Sequence, residues 1–434
     1  MRFVHKTLLA SAGQGGVVAL NLAGTMFLAR ALGHDLGQYD LFRNVAAMTV
    51  AIAALGIGNA NLYMLNARQA ALEKLLGNAI VVLAIGGGVL LVLFPLFVLG
   101  LPGYFGEVPP AVVVLFALGV AGLLGTALLR PLVIARLKVA WWIGGDLAGP
   151  GVVLVGCAVL HLAGSLTPAA ALCLQGAGAM TSLAITAAYL LPLSAWHPRT
   201  DLRLFRETLR QGLRFFVSNA TQLLIGTSIV AVLRLMTQDE PGFGSVALYT
   251  RAAALSGLTL MLPIGIGPML FARWAGMASA TRREQVEFAA RVTVWYSVIT
   301  SAVLVFGGTF LLRLLYGPVF VAAQPALIVM VAANGVFALF AVYINLLASD
   351  GQAGIVGRIQ AGGLVVGCWL SWALIPHLAA VGAAAALLGA HLFCCVSAMI
   401  FGWRRYGVRP RRCLALRPSD LAMLWGQLRS GPST

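Results

Sequence analysis

The apolar residues of this chain form long runs bounded by charged residues or by glycine and proline. Each run extends over roughly twenty residues, and a helix of that length crosses the hydrocarbon core of a bilayer. We therefore predict an all-α polytopic membrane protein. The runs indicate twelve transmembrane helices, at 7–29, 44–65, 76–101, 110–130, 140–163, 168–193, 215–237, 246–271, 292–315, 325–348, 358–378 and 381–402.

The charge of the chain indicates its orientation. An even number of crossings places both termini on one side, and that side would hold all but five of the 29 Lys and Arg residues. By the positive-inside rule it is the cytoplasm. This asymmetry explains the net charge of +16 without a nucleic-acid partner. The composition, 60% hydrophobic and 10% charged, excludes a single soluble core. We expect no cleavable signal peptide, because the first run continues the pattern of the others.

The helices divide into two sets of six. The predicted parts are an N-terminal lobe at 1–193, a basic cytoplasmic linker at 194–214, a C-terminal lobe at 215–402 and a basic cytoplasmic tail at 403–434. Apolar residues recur in the linker at helical spacing, at Leu202, Phe205, Leu209 and Leu213. Arginines between them favour an amphipathic helix on a leaflet of anionic phospholipid. A solvated linker that only sets topology is the alternative.

Two similar turns carry the candidate site. The first turn contains Arg30 and Arg43 near its two ends, in ARALGHDLGQYDLFR. The second turn has Arg234 and Arg251 in matching places, in LRLMTQDEPGFGSVALYTR. The chain therefore resembles two related halves. Charged residues are costly near a bilayer core, so we predict that these four arginines form one cationic binding site. Arg251 lies deepest in its run. The other three could instead reach the interface or pair with Asp35, Asp40, Asp239 or Glu240.

A sparse set of polar residues accompanies the arginines. The predicted cavity lining is Gln14, Asn21 and Thr25 in the first helix, Asn219 and Gln222 in the seventh, and Asn334 and Asn345 in the tenth. Any one of these could instead join two helices. PIGIGP in helix eight and GGDLAGPG in helix five predict bent helices.

Asp146 is the only carboxylate that the sequence places inside an apolar run. It is a candidate for ion coupling. Alternatively, it lies at the inner interface beside Trp141 and Trp142 and pairs with an arginine. No phosphate loop, HExxH motif or Cys/His cluster occurs in the sequence, so we expect no cofactor, no metal and no disulfide.

Several segments resemble a known family. The N-terminal part of the chain resembles the start of the polysaccharide transporter family, at Lys6, Gly13-Gln14, LARALGHDLGQYDLF and LGIGNA. These are the O-antigen type lipid-linked oligosaccharide flippases of the multidrug/oligosaccharidyl-lipid/polysaccharide exporter superfamily. Two later segments resemble the start of the second half of these flippases: LRQGLRFFVSNATQLLIG and VALYTRAAALSGLTLMLPIGIGPMLFARWA. GSVALYTRA departs from the family in the spacing of Gly and Tyr.

The resemblance implies two six-helix lobes around a central cavity in a bacterial inner membrane. It implies alternating access that moves a polyprenyl-pyrophosphate sugar for lipopolysaccharide, alongside other glycan-assembly membrane proteins. The residues of the chain are consistent with this substrate, because arginine binds pyrophosphate through paired hydrogen bonds, and amides and tyrosines bind sugar hydroxyls. The alternatives are a drug or organic-ion antiporter of the same superfamily, and a membrane-embedded polymerase or glycosyltransferase. The scarcity of acids argues against the first, and the lack of a long outside loop argues against the second.

Overall fold

The structure is a computed structural model that describes residues 2–66, 70–136, 138–194, 201–237, 243–274, 277 and 279–414. In these residues every regular element is a helix. The α-helices are α1 (Arg2–Leu32), α2 (Leu36–Ala54), α3 (Ile57–Asn66), α4 (Leu72–Leu99), α5 (Pro102–Phe105), α6 (Pro110–Ala135), α7 (Val139–Leu162), α8 (Pro168–Leu190), α9 (Leu202–Met236), α10 (Gly244–Ser256), α11 (Met261–Trp274), α12 (Ser279–Tyr316), α13 (Gln324–Ser349), α14 (Ala353–Tyr406) and α15 (Pro410–Leu414). Short 3₁₀ turns lie at Gly33–Asp35, Leu191–Ser194, Gly257–Leu260 and Pro318–Ala323.

The prediction of an all-helical, multi-pass membrane protein is confirmed. Nine apolar helical stretches in the described residues are long enough to cross a membrane, at Gly15–Ala54, Leu72–Leu99, Pro110–Ala135, Val139–Leu162, Pro168–Leu190, Gly244–Pro263, Thr281–Tyr316, Pro318–Ser349 and Gly354–Tyr406. A shorter apolar helix lies at Thr221–Met236. The number of twelve crossings stays a prediction.

The two longest of the nine stretches each contain an internal break. The first, of 40 residues, includes the 3₁₀ turn Gly33–Asp35. The last, of 53 residues, includes Ala379 at φ 45° and ψ −121°, which interrupts the helix. Glycine tolerates such dihedrals far better than alanine does, so the backbone at Ala379 is strained.

The second predicted crossing, 44–65, consists of two helices. α2 ends at Ala54 and is followed by Leu55, whose φ is 46°. α3 then follows Gly56, whose φ is 69°. A Cβ at Gly56 would overlap the carbonyl oxygen of Gly212 on α9. Glycine is therefore required at position 56 for its backbone conformation and for the close approach of α9.

The bends predicted at the proline and glycine motifs stay a prediction, because the structure gives both motifs inside continuous helices. α7 is continuous through its glycines and Pro150. The interruption in the predicted eighth helix lies at Gly257–Leu260, one turn before PIGIGP. Pro263 is the third residue of α11. An amide in the first turn of a helix has no intrahelical acceptor, so proline is tolerated there.

The predicted linker helix is the first part of α9. Asp201 caps α9 by accepting a hydrogen bond from the amide of Leu204 at 3.1 Å. The helix then continues from Leu202 into the seventh predicted crossing. Thr208 and Gly212 are buried, whereas Leu202 and Leu213 are exposed. The amphipathic contact with a phospholipid leaflet stays a prediction. Residues 195–200 of the predicted linker and 415–434 of the tail lie outside the described residues.

The described chain divides into two compact units. One comprises Met1–Arg251 and Leu312–Ala323, and the other Ala252–Leu311 and Gln324–Thr434. In the first unit, α6 packs on α4 and α8, α7 packs on α1 and α8, and α9 packs on α2 and α3. In the second, α13 packs on α11 and α14. The predicted lobes on either side of 194–214 stay a prediction.

Candidate functional site

The candidate site lies at one end of the first unit, where its short connections meet. Gln38 donates a hydrogen bond to the carbonyl of Phe105 at 3.0 Å, and His34 contacts the ring of Phe320. A Cβ at Gly37 would overlap the backbone of Phe243. We call this the loop-34 end, defined by Gly33–Asp35, Pro102–Phe105 and Pro318–Ala323.

Asp40 is the centre of the site, with 3% of its surface exposed. Its Oδ2 accepts hydrogen bonds from Arg251 Nη2 at 2.5 Å and from Thr250 Oγ1 at 2.6 Å. Its Oδ1 lies 4.0 Å from Arg43 Nη1. Arg43 follows Asp40 by three residues on α2, so both side chains share one helix face. The structure thus brings two of the four predicted arginines to one carboxylate.

The charges of this cluster do not cancel. Two guanidinium groups face one carboxylate, which leaves a net positive charge of one. Arg251 is 2% exposed, and its Nε and Nη1 find no acceptor among the described residues. Its guanidinium also lies 5.5 Å from the ring centre of Tyr316. A buried donor without an acceptor costs about 1–3 kcal/mol, so the cluster favours an anion as its missing partner.

Arg43 points into a cavity. In the part of the chain that the structure describes, no group accepts a hydrogen bond from its guanidinium, which lies 5.5 Å from the ring centre of Tyr39. The cavity has a volume of about 110 Å³. Its lining comprises Leu20, Asn21, Gly24, Thr25, Leu28, Tyr39, Arg43, Leu123, Gly149, Pro150, Val153, Gln175, Ala179 and Ser182. Three predicted site residues therefore line one cavity: Asn21, Thr25 and Arg43.

Arg234 is bonded to backbone carbonyls. Its Nε donates to Tyr104 at 2.8 Å, its Nη2 to Gly103 at 3.1 Å and its Nη1 to Thr237 at 3.3 Å. Its guanidinium stacks on Phe243, with 4.1 Å to the ring centre. It therefore fastens the end of α9 to the connection between α4 and α6.

The same connection is held by the hydroxyl of Tyr104, which donates to the carbonyl of Ala231 at 3.1 Å. Burial raises the pKa of Tyr104 to about 12, and the charge of Arg234 partly opposes this. The phenol therefore stays a neutral donor at physiological pH. Arg30, the fourth predicted arginine, is exposed and donates to the carbonyl of Leu314. The ring of four arginines stays a prediction.

The other predicted lining residues lie in several places. Asn334 donates to Ser256 Oγ at 2.9 Å and so joins two helices of the second unit. Asn345 donates to the carbonyl of Ala341 in its own helix at 2.8 Å. Gln222 is half-buried on α9. The side chains of Gln14 and Asn219 lie outside the described part of the structure.

Asp146 pairs with Arg130. Arg130 Nη2 donates to Asp146 Oδ2 at 2.6 Å, and the guanidinium lies 5.8 Å from the ring centre of Trp142. This is the arginine pair named as the alternative in the sequence analysis, and an ion-coupling role stays a prediction. Among the described residues no group of three or more His, Cys, Asp or Glu side chains is placed to hold a metal ion.

Sequence reasoning found the arginines but not the central role of Asp40. Asp40 and Arg251 are 211 residues apart, so no local pattern connects them. Only the prediction that the two turns belong to matching halves could have placed them together. Gln175 was missed as well, because a single glutamine in an apolar run carries no distinguishing signal.

Comparison with known proteins shows the fold. No protein-family model and no curated protein matches the chain. Among solved structures, the chain is similar to the lipid II flippase MurJ in an inward closed conformation, with a TM-score of 0.77 at 11% identity over 98% of this chain and 94% of that one. It is also similar to an inward-facing multidrug resistance MATE transporter of the MOP superfamily, with a TM-score of 0.74 at 13% identity over 90% and 94%. A MOP superfamily transporter from Pyrococcus furiosus gives 0.65 at 15% identity over 98% and 94%. The chain therefore has the fold of MOP superfamily transporters.

Proposed function

We propose that this protein is a flippase that moves a polyprenyl-pyrophosphate-linked oligosaccharide from the cytoplasmic to the periplasmic leaflet of a bacterial inner membrane. Transport occurs by alternating access, with no bond of the substrate broken, so the protein is not an enzyme. The similarity to a lipid flippase supports a lipid-linked substrate. An O-antigen precursor for lipopolysaccharide is the proposed glycan.

One observation carries the proposal: the uncompensated charge around Asp40. Arg43 and Arg251 share its carboxylate, and Arg251 keeps two buried N–H groups unpaired. A pyrophosphate oxygen accepts such hydrogen bonds better than a neutral group does. Arg251 is accordingly the main pyrophosphate ligand. Arg30 and Arg234 complete the proposed site when the connections at the loop-34 end rearrange.

The proposed topology has twelve crossings and two six-helix lobes. The breaks at Gly33–Asp35 and Ala379 support it, because each divides one long apolar stretch into two. Counting the shorter helix Thr221–Met236 as a crossing gives the remaining one. The loop-34 end is then periplasmic, and both termini are cytoplasmic beside anionic phospholipid. Other glycan-assembly membrane proteins are proposed neighbours.

An antiporter for drugs or organic ions is the second candidate, because a MATE transporter shares the fold. Such a protein needs an acid to bind a cation. Asp40 and Asp146 lie inside the apolar helices, and each is paired with an arginine at 2.5 Å and 2.6 Å. Anionic cargo therefore fits these sites better.

The deciding experiment is translocation of a fluorescent polyprenyl-pyrophosphate oligosaccharide in proteoliposomes. Arg251→Lys keeps the charge but loses the two-pronged donor geometry, so we expect it to reduce the rate at least about tenfold. Arg251→Ala should abolish transport while the protein remains folded. Arg313→Ala, at the end of α12, serves as the matched control and should transport normally. Normal transport by Arg251→Ala, or efflux of a cationic dye by the wild type, would contradict the proposal.

A further inference from the structure

We infer that the cavity beside Arg43 is a subsite that selects a carboxylate-bearing sugar of the transported glycan. The inference rests on the proposed function and names the class of glycan. The cavity lies within one unit, between α1, α2, α6, α7 and α8. Its volume of about 110 Å³ corresponds to a few water molecules, so it admits a substituent and part of a sugar ring rather than a whole oligosaccharide.

The positive charge of Arg43 in the cavity favours binding of an acidic ligand. Arg43 is the only cation among the lining residues, and none of these described residues is acidic. Asp40 lies 4.0 Å away, beyond hydrogen-bonding distance, and its other oxygen is occupied by Arg251 and Thr250. The fork of the Arg43 guanidinium therefore remains available. A planar carboxylate matches that fork with two parallel hydrogen bonds.

The two arginines differ in what they offer an anion. Asp40 occupies one nitrogen of Arg251 at 2.5 Å but lies 4.0 Å from Arg43. The pyrophosphate is assigned to Arg251, whose two free N–H groups are buried and which does not line this cavity. The two anions of the substrate thus have separate partners.

The remaining walls suit a sugar. Tyr39 donates its hydroxyl proton to Gln175 Oε1 at 2.8 Å, which directs the Gln175 amide NH2 toward other acceptors. Asn21 and Thr25 use their donors on backbone carbonyls of α1, so their oxygens remain as acceptors for sugar hydroxyls. Leucine, valine and proline side chains complete the lining. Polar groups that fix orientation among apolar walls are typical of small-ligand sites.

Gly24 allows the cavity to be filled without altering its charge. It lines the cavity, and a Cβ built on it meets no atom within 4 Å. Gly24→Leu therefore places apolar atoms in the cavity with little strain. Gly15 lies on the same helix, is exposed and also has free space around its Cβ position. Gly15→Leu is the matched control.

The test measures binding of glucuronate, glucose and inorganic phosphate to the full-length protein in detergent by calorimetry. We expect glucuronate to bind at least about tenfold more tightly than glucose, the ratio that one charge-assisted contact gives. Arg43→Gln and Gly24→Leu should each weaken glucuronate binding by about tenfold or more, and Arg43→Lys should weaken it less. Gly15→Leu should bind as the wild type does. Equal binding of glucuronate and glucose, or displacement of glucuronate by equimolar phosphate, overturns the inference.

Pyrophosphate separates this inference from the proposed function. If pyrophosphate binds the wild type and is lost in Arg251→Lys while glucuronate shows no preference over glucose, only the subsite is refuted. If glucuronate binds as expected but Arg251→Lys leaves pyrophosphate binding and transport unchanged, the subsite stands and the flippase site is refuted.

Discussion

Arg234 and Arg251 differ in the groups that accept their hydrogen bonds. The described partners of Arg234 include three backbone carbonyls and the Phe243 ring, whereas Arg251 has one carboxylate partner and two unpaired donors. The first arrangement stabilises the fold, and the second is suited to a ligand. From sequence both residues are candidates for one site, because they lie at the two ends of the second turn, although Arg251 lies deeper in its apolar run. The carbonyls that accept hydrogen bonds from Arg234 belong to residues about 130 positions earlier in the chain. A local sequence pattern therefore does not reveal them.

This difference gives a prediction for Arg234→Ala. The truncation leaves the carbonyls of Gly103 and Tyr104 without their donor, at a cost of about 2 kcal/mol or more. We expect the thermal unfolding midpoint in detergent to fall by several degrees. Arg313→Ala provides the baseline for removing an arginine at a helix end. An unchanged midpoint for Arg234→Ala would show that these hydrogen bonds contribute little.

At the scale of the element, α9 is fastened to the N-terminal helices at two levels. Lys74 Nζ donates to Asp201 Oδ2 at 2.9 Å, and Asn78 exchanges two hydrogen bonds with the Asp201 backbone at 3.1 and 3.2 Å. Further along, Gly212 packs on Gly56. The sequence predicted the amphipathic character of this segment but not its continuity with α9. The capping of α9 by Asp201 and its packing on α3 determine that continuity, and both depend on tertiary contacts.

The Asp201 contact gives a pH prediction. The hydrogen bond from Lys74, followed by that from the Leu204 amide, lowers the pKa of Asp201 below its usual value. A carboxyl with a depressed folded-state pKa stabilises the fold above its unfolded pKa, near 3.9, and loses that contribution as pH falls through the folded value. The difference in unfolding midpoint between wild type and Asp201→Asn should therefore be present at pH 7 and shrink below about pH 4.

Asparagine still caps a helix, so this variant removes the charge and keeps the cap. Glu207→Gln removes an exposed carboxylate from the same helix and is the control. It should show no pH-dependent difference of this kind. A wild-type advantage that persists unchanged to pH 3 would exclude the Lys74 pair as its source.

Gly56→Ala should separate α9 from the junction of α2 and α3. The added methyl overlaps the Gly212 carbonyl, and the φ of 69° disfavours alanine. We expect lower thermal stability and slower transport. Gly226→Ala is the control on α9, because its Cβ position is open, and helix propensity predicts a neutral or slightly stabilising effect. Equal stability of the two variants would argue against tight packing at Gly56.

At the scale of the whole molecule, apolar run length and charge asymmetry predicted a multi-pass helical protein, because the bilayer imposes both. Helix boundaries were less predictable. The breaks at Leu55–Gly56 and Gly257–Leu260 lie inside apolar runs, where composition does not change. The structural likeness to MOP transporters supplies the fold that short motifs only suggested.

Topology is testable with introduced thiols. Cys413 is fully buried, so the native thiol of the tail is a poor reporter of sidedness. In a background with all six cysteines replaced, Glu107→Cys and Arg404→Cys place exposed thiols at opposite predicted sides. An impermeant thiol reagent applied to intact spheroplasts should label position 107 and leave position 404 unlabelled until lysis. The reverse labelling pattern would invert the proposed orientation.

Ala379 has a consequence for how this protein meets its surroundings. At the end proposed to face the periplasm, the last two crossings are joined through one residue in a strained conformation, with no loop between them. An antibody or a bacteriophage needs an accessible epitope, and this connection presents only the short exposed stretch 376–378. Gly164 and Ser165, between α7 and α8, lie in an open turn at the same proposed face. A peptide tag inserted after Gly164 should therefore be displayed without loss of folding, whereas the same tag inserted at Ala379 should prevent the final two helices from pairing.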